Sequence, residues 1–159
     1  MLWGTPGATA MSDLMLETDE KLNLVWWLLR IGLGVGAFLG GLDKFFGFLA
    51  FWPEYVSPLV AGLIPLRTET FLYAIGAFEV AVGLAILTRW TKEGAYAMSG
   101  LLALIALNVA VAGHLWDVVR DFEMCLSAFA LARLSAWRTA TIEAYRKPEP
   151  ATLFEETAS

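Results

Sequence analysis

Cysteine and histidine are almost missing from this chain, with Cys125 and His114 the sole examples. A single thiol makes no internal disulfide and no thiolate-only metal cage. A single imidazole rules out bis-histidine haem ligation by this chain alone. Charge is scarce as well, at 17% of 159 residues, where a soluble domain carries about a quarter. With 58% hydrophobic residues, that shortfall points to lipid as solvent. Positive charge is the scarcer sign, and a net charge of −5 leaves no electrostatic footprint for nucleic acid. No secretory signal is expected, because Asp13, Glu17, Asp19 and Glu20 stand where a basic n-region is needed. Met11 opens a second start, MSDL, which would leave residues 1–10 outside the mature chain.

The hydrophobicity that is present comes in blocks. Four are expected as membrane helices: 22–46, 70–90, 95–115 and a shorter one at 122–137. Between the first and second lies FGFLAFWPEYVSPLVAGLIP, whose Pro53, Pro58 and Pro65 leave runs too short to cross a bilayer. With Trp52 and Tyr55 at its centre it reads as a segment that lies in the interface or packs over the bundle mouth. The expected fold is an all-α integral membrane protein, a four-transmembrane-helix up-down bundle with that proline and aromatic segment between helices 1 and 2. Residues 1–21 read as a mobile acidic cytoplasmic lead-in. Residues 138–159 read as a cytoplasmic tail, first an amphipathic helix and then disordered from Pro148. Lys21, Arg89, Lys92, Arg138, Arg146 and Lys147 flank one side, against Lys44, Arg67 and Arg120 on the other. The positive-inside rule then puts both termini in the cytoplasm.

The first span carries the densest pattern. On a helix, Arg30, Gly34, Ala37, Gly41 and Lys44 fall within roughly 40° of one line, expected as the inner seam. Gly32, Gly36 and Gly40 form a second small-residue line, free to receive another helix or another subunit. Glu79 stands near the middle of the second span with Gly76 and Gly83 on its face. An ionisable group inside a membrane needs a partner. Arg30 and Glu79 lie roughly 10 and 15 Å in from the cytoplasmic side at 1.5 Å per residue, so they are expected to pair across the first two helices. That pair reads either as a structural ion pair or as the polar anchor of a pocket. At the outer mouth Asp43, Lys44, Asn108, His114, Asp117, Arg120, Asp121 and Glu123 gather. They read as a salt-bridged cap of helix ends, and no metal is assigned because their spacing fits no defined site. Most tryptophans sit near span ends, where aromatic belts belong. Cys125 reads as packing.

LLRIGLGVGAFLGGLDKFFG resembles the opening motif of the DoxX-like family of four-helix membrane proteins: an arginine, a glycine-rich run, then Gly-x-x-Lys and an aromatic residue. FEVAVGLAILTRW resembles the family's second span, and DVVRDFEMCLSAFALARL its Arg-Asp entry to the fourth helix. The likeness covers residues 24–137. The first motif, with PEYVSPLV after it, also resembles a neighbouring group of four-helix inner-membrane proteins of reactive-chlorine resistance. Carried over, the motif positions are Arg30, Gly41, Lys44, Glu79, Arg120 and Asp121, none of them a catalytic residue by that transfer. The resemblance implies a prokaryotic inner-membrane protein that accompanies redox enzymes, the family being named from a thiosulfate:quinone oxidoreductase.

The leading expectation is therefore a multi-pass subunit of an oxidoreductase or electron-transfer complex, not catalytic alone, that anchors partners and shapes a quinone or lipid pocket. Arg30, Lys44, Glu79 and Asn108 are its candidate lining, with quinone the one cofactor considered. Membrane lipids and protein partners, in a membrane complex or a homo-oligomer, are the expected neighbours. Two other classes stand beside it. One is a purely structural packing subunit using Gly32, Gly36, Gly40, Gly76 and Gly83, with ion pairs at Asp117, Arg120 and Asp121. The other is a small transporter or proton pathway using Glu79, which the lack of an inverted repeat disfavours.

Overall fold

An apolar run with lipid around it can satisfy its backbone N–H and C=O groups only within itself, which selects helix. The structure, a computed structural model, describes the backbone of residues 8–146 and the side chains of residues 20–142. Its elements are α1 (Ala8–Phe46), a 3-10 turn at Trp52–Tyr55, α2 (Pro58–Leu63), α3 (Thr68–Leu87), α4 (Thr91–Ala112) and α5 (Leu115–Arg146). Three stretches are long and apolar enough to cross a membrane: Glu20–Phe46 within α1, α3, and α4.

Two elements run further than the hydropathy suggests. Helix α1 begins at Ala8, so residues 8–21 are helical and continuous with the apolar part. Helix α5 runs unbroken to Arg146, so the expected short span and the amphipathic piece after it are one helix. The reason is local: neither 8–31 nor 115–146 contains a glycine or proline to stop the helix. The tail from Pro148 lies outside the described residues.

Helix α1 packs against α3 in the opposite direction, and α4 against α5, with α3 on α4 and α1 on α5 completing the contacts. The α1–α3 seam is made of backbone. A Cβ on Gly41 would lie 2.6 Å from the Gly76 carbonyl oxygen, and one on Gly83 would lie 2.7 Å from the Phe38 nitrogen and 2.8 Å from the Gly34 oxygen. Only glycine permits that approach. Gly34, Ala37 and Gly41 are buried there, as the inner-seam reading requires. By contrast, no neighbour lies within 4 Å of a Cβ placed on Gly32, Gly36 or Gly40. The core beyond the seam is Leu33, Val82, Ile86, Ala95, Met98, Leu102, Ala128 and Leu131. Leu28, Ile31, Val35, Leu39 and Leu42 face outward on α1, as do Leu104 and Leu107 on α4 and Phe122, Leu126 and Phe129 on α5. An apolar outer surface of that extent suits lipid contact.

Both ends of the helices are closed by specific bonds. Arg30 Nε donates to the Ile86 carbonyl at 2.9 Å, and Nη2 to those of Leu87 at 2.7 Å and Thr88 at 2.5 Å. Thr91 Oγ1 joins them, donating to Ile86 at 2.9 Å. The C-terminal carbonyls of α3, which have no partner within the helix, are thereby satisfied by a cation at the negative end of the dipole. At the far end α4 stops at Gly113 in the left-handed region (φ 89°), and the Gly113 and His114 N–H groups return to Ala110 and Val109. This is a Schellman arrangement, in which glycine is the residue of choice.

Candidate functional site

The expected Arg30–Glu79 pair does not form; Glu79 is held by Lys44, with Lys44 Nζ 2.6 Å from Glu79 Oε2. Side-chain direction explains the difference. Gly41 sits against Gly76, Glu79 and Val80, so Lys44 is about 4.5 Å along the axis from that level and Arg30 about 16 Å, at 1.5 Å per residue. Every Cα–Cβ bond leans toward the N-terminus of its helix. Since α1 and α3 are antiparallel, Lys44 and Glu79 lean toward each other. Arg30 leans the same way as Lys44 but starts on the other side of Glu79, so its lean carries it away from Glu79 and to the carbonyls at the end of α3. The Lys44–Glu79 pair is sequestered, with side chains 7% and 6% exposed. The Lys44 ammonium also lies 3.9 Å from the centroid of the Trp52 ring, a cation–π contact that covers its outer side.

Asp43, one residue earlier, organises the wall. It accepts from the Phe48 N–H at 2.9 Å, the Leu49 N–H at 3.1 Å and Trp52 Nε1 at 2.8 Å. The turn that leaves α1, made possible by Gly47 at φ 66°, is thus tied to the indole that covers Lys44. Asp43→Ala is expected to free this segment: limited proteolysis between residues 47 and 56 will speed up markedly, with a lower melting temperature. The segment's other tether is Asn108 on α4. Its Oδ1 accepts from the Ser57 N–H at 3.0 Å and its Nδ2 donates to the Tyr55 carbonyl at 2.7 Å. Ser57 in turn caps α2, accepting from the Val60 N–H, with Pro58 in the first turn.

The start of α5 closes the mouth. Arg120 Nη1 lies 2.7 Å from Asp117 Oδ1 and Nε lies 3.0 Å from Asp121 Oδ1. His114 Nδ1 is 4.0 Å from Asp117 Oδ2, and its ring packs on Tyr55 with centroids 5.0 Å apart. Asp121 differs from its neighbours: it is 4% exposed, and its Oδ2 has no hydrogen-bond partner among the described residues. Buried carboxylate oxygens are ordinarily bonded, and leaving one bare costs several times what a bond gains.

Two cavities meet at this cluster and share Lys44, Trp52, Ile105, Arg120 and Asp121 in their walls. The larger, about 360 Å³, runs between α2, α3 and α4 past Val60, Ile64, Phe71, Ile75, Leu101 and Leu104. The smaller, about 140 Å³, reaches Glu79, Met98 and the Gly36–Gly40 side of α1. Of the four residues expected around one pocket, Lys44 and Asn108 border the larger cavity, Lys44 and Glu79 the smaller, and Arg30 neither. Arg30 belongs to a separate cavity at the other end of the helices. Trp52 and Tyr55 line the larger cavity; WPEY, with Pro53 inside it and Pro58 after it, is the signal in the sequence. Among the described residues no group of three or more His, Cys, Asp or Glu is arranged to hold a metal ion. Cys125 is packed against Ser99, its Sγ 3.2 Å from the Ser99 carbonyl.

The expected donors do not all converge on one cavity. Arg30 is elsewhere, and both polar atoms of Asn108 are engaged by the 55–57 backbone. The walls present Asp121 Oδ2 as an acceptor, the Lys44 ammonium, of whose three donors Glu79 takes one, the Arg120 guanidinium and the residue Tyr55. The bare Asp121 Oδ2 calls for a donor such as a hydroxyl. Comparison with protein-family models, with curated proteins and with solved structures finds no match.

Proposed function

We propose that this chain is a multi-pass membrane subunit whose outer mouth holds an amphiphilic ligand with a hydroxyl-bearing head. The observation that carries the reading is the bare Asp121 Oδ2 beside an apolar cavity of about 360 Å³. Among the described residues none donates to that oxygen, which leaves room for a donor on a bound molecule. An apolar slot with few convergent polar groups is the ordinary form of a small-molecule site. A lipid or a reduced quinone has the matching form: a polar head for Asp121 and Lys44, and a tail for the Val60–Ile64 and Leu101–Leu104 walls. Trp52, fixed by Asp43, keeps water from the Lys44–Glu79 pair. In this reading α5 is the fourth span. Residues 124–132 of α5 carry no charged side chain, and Leu126 and Phe129 face outward there. Both termini then lie in the cytoplasm. The place beside a redox or electron-transfer complex in a prokaryotic inner membrane, and the kinship with DoxX-like proteins, rest on the resemblance of residues 24–137.

The test is gentle detergent purification of the full chain and mass spectrometry of the organic extract. An amphiphile retained at close to one per chain on the wild type, and reduced at least tenfold in Asp121→Asn, is expected. Equal retention in both would count against the assignment of Asp121. A second reading, a ligand-free packing subunit, is favoured by the open Gly32/Gly36/Gly40 line. It requires that Gly36→Leu leave the fold intact but release a partner subunit or second copy, seen as a smaller species on size-exclusion chromatography.

A further inference from the structure

The end of the molecule opposite the Lys44 pocket concentrates positive charge. A cavity of about 700 Å³ between α1, the α3–α4 turn and α5 is lined by Arg30, Arg89, Lys92 and Arg138, with Glu93 as its one carboxylate. Glu93 is taken by its neighbour Lys92 at 3.2 Å. Among the described residues the three guanidinium groups meet no carboxylate. This is unusual in a protein with 16 acidic and 11 basic residues.

Two of the cations are also held close together. Arg30 and Arg138 both lie on the Trp26 ring, 4.8 and 4.4 Å from its centroid, so no more than those two distances together separates them. The indole is buried and fixed, its Nε1 donating to Ser135 Oγ at 2.7 Å. Arg30 spends Nε and Nη2 on the α3 carbonyls, and Arg138 spends Nη1 on Asn23 Oδ1. Among the described residues Arg30 Nη1 and Arg138 Nη2 keep their donors, on like charges that share one indole. Repulsion of that kind is relieved by an anion between them, and a planar guanidinium fork matches phosphate oxygens.

We propose that this cavity binds a phosphate ester, the headgroup phosphate of an anionic membrane lipid. Two observations favour lipid over a soluble ester. The exposed Trp27 and Trp90 flank the cavity at the ends of the apolar helices, where indoles mark the membrane surface. The exposed Leu24, Leu28 and Ile31 continue from it along α1 and offer acyl chains an outer track. The proposal does not depend on the ligand at the Lys44 end.

The test is native mass spectrometry of the detergent-purified full chain with phosphatidylglycerol or phosphatidylcholine, alone and with inorganic phosphate. Phosphatidylglycerol is expected to be retained at least tenfold over phosphatidylcholine. Each of Arg138→Gln and Arg89→Gln is expected to weaken it about fivefold, the effect of one cation near a charged lipid surface. Arg89 is exposed, so Arg89→Gln keeps the test valid if Arg138→Gln fails to fold, as circular dichroism would show. Retention that inorganic phosphate leaves intact identifies lipid as the source. Competition by millimolar phosphate, or binding of phosphate alone, identifies the same site with a soluble ester as its source. Equal retention of both lipids, no binding of either probe, or full phosphatidylglycerol retention by a folded Arg89→Gln would overturn the proposal.

Discussion

Lys44→Met will lower the unfolding free energy by about 3–5 kcal/mol, the cost of leaving a buried charge without its partner. Glu79 is 6% exposed and has Lys44 as its close cation, 2.6 Å away. Its next charged neighbour in influence is Asp121, which is also an acid. Glu79→Gln alone strands the Lys44 ammonium instead, and will cost less because that ammonium keeps its contact with the Trp52 ring. The double variant that combines Lys44→Met with Glu79→Gln will recover most of what Lys44→Met loses, since an apolar residue of similar length refills the space. The measurement is equilibrium unfolding of the four proteins in one detergent, arranged as a cycle. Strictly additive losses would mean that the pair is not coupled and that Glu79 has another partner.

The second large effect lies at the seam. Gly41→Ala places a methyl group 2.6 Å from the Gly76 oxygen and 2.8 Å from both Glu79 Cβ and the Val80 nitrogen. Backbone atoms cannot swing aside as a flexible side chain can, so α1 and α3 must separate. Overpacking costs about 1–3 kcal/mol and occasionally more, and contact with rigid backbone puts this site at the upper end. The shift also draws Lys44 away from Glu79. Gly83→Ala, at 2.7 Å from the Phe38 nitrogen, will behave alike. Gly36→Ala and Gly40→Ala, with open space around the new methyl, will leave the melting temperature within a degree or two, in keeping with the small effects of surface changes. A thermal series over these four variants separates the seam from the open line in one experiment.

How far the sequence foretells this molecule depends on what each feature rests on. The α1, α3 and α4 spans were legible because lipid leaves an apolar block of that length few alternatives to helix. The seam was legible from spacing: Gly34, Ala37 and Gly41 share a face, and that face is the buried one. The extra turns of α1 and α5 were missed because charged residues read as an exit from the membrane, whereas a helix stops only where glycine, proline or a cap stops it. The Arg30–Glu79 pairing failed for a sharper reason. Depth was reckoned from Cα positions, but the Cβ tilt on antiparallel helices sends Arg30 and Glu79 apart and brings Lys44 and Glu79 together. That tilt is itself readable from sequence once the direction of each helix is known. The bare Asp121 oxygen was not readable at all. Arg120 and Asp121 look like one ion pair on paper, and only the packing of α5 against the Lys44 cluster turns the second oxygen into a buried group without a donor. Asn108 was likewise unreadable as a latch, because its partners are backbone groups of a segment with no regular pattern.

The most direct test is a structure of the full chain in a lipid nanodisc at a resolution that shows bound small molecules. The expected result is non-protein density in the cavity between Trp52, Ile105 and Asp121, with an atom at hydrogen-bond distance from Asp121 Oδ2 and Lys44 still on Glu79. A cavity closed by protein side chains, or Lys44 turned from Glu79 to Asp121 with no density beside it, would contradict a ligand site at this mouth.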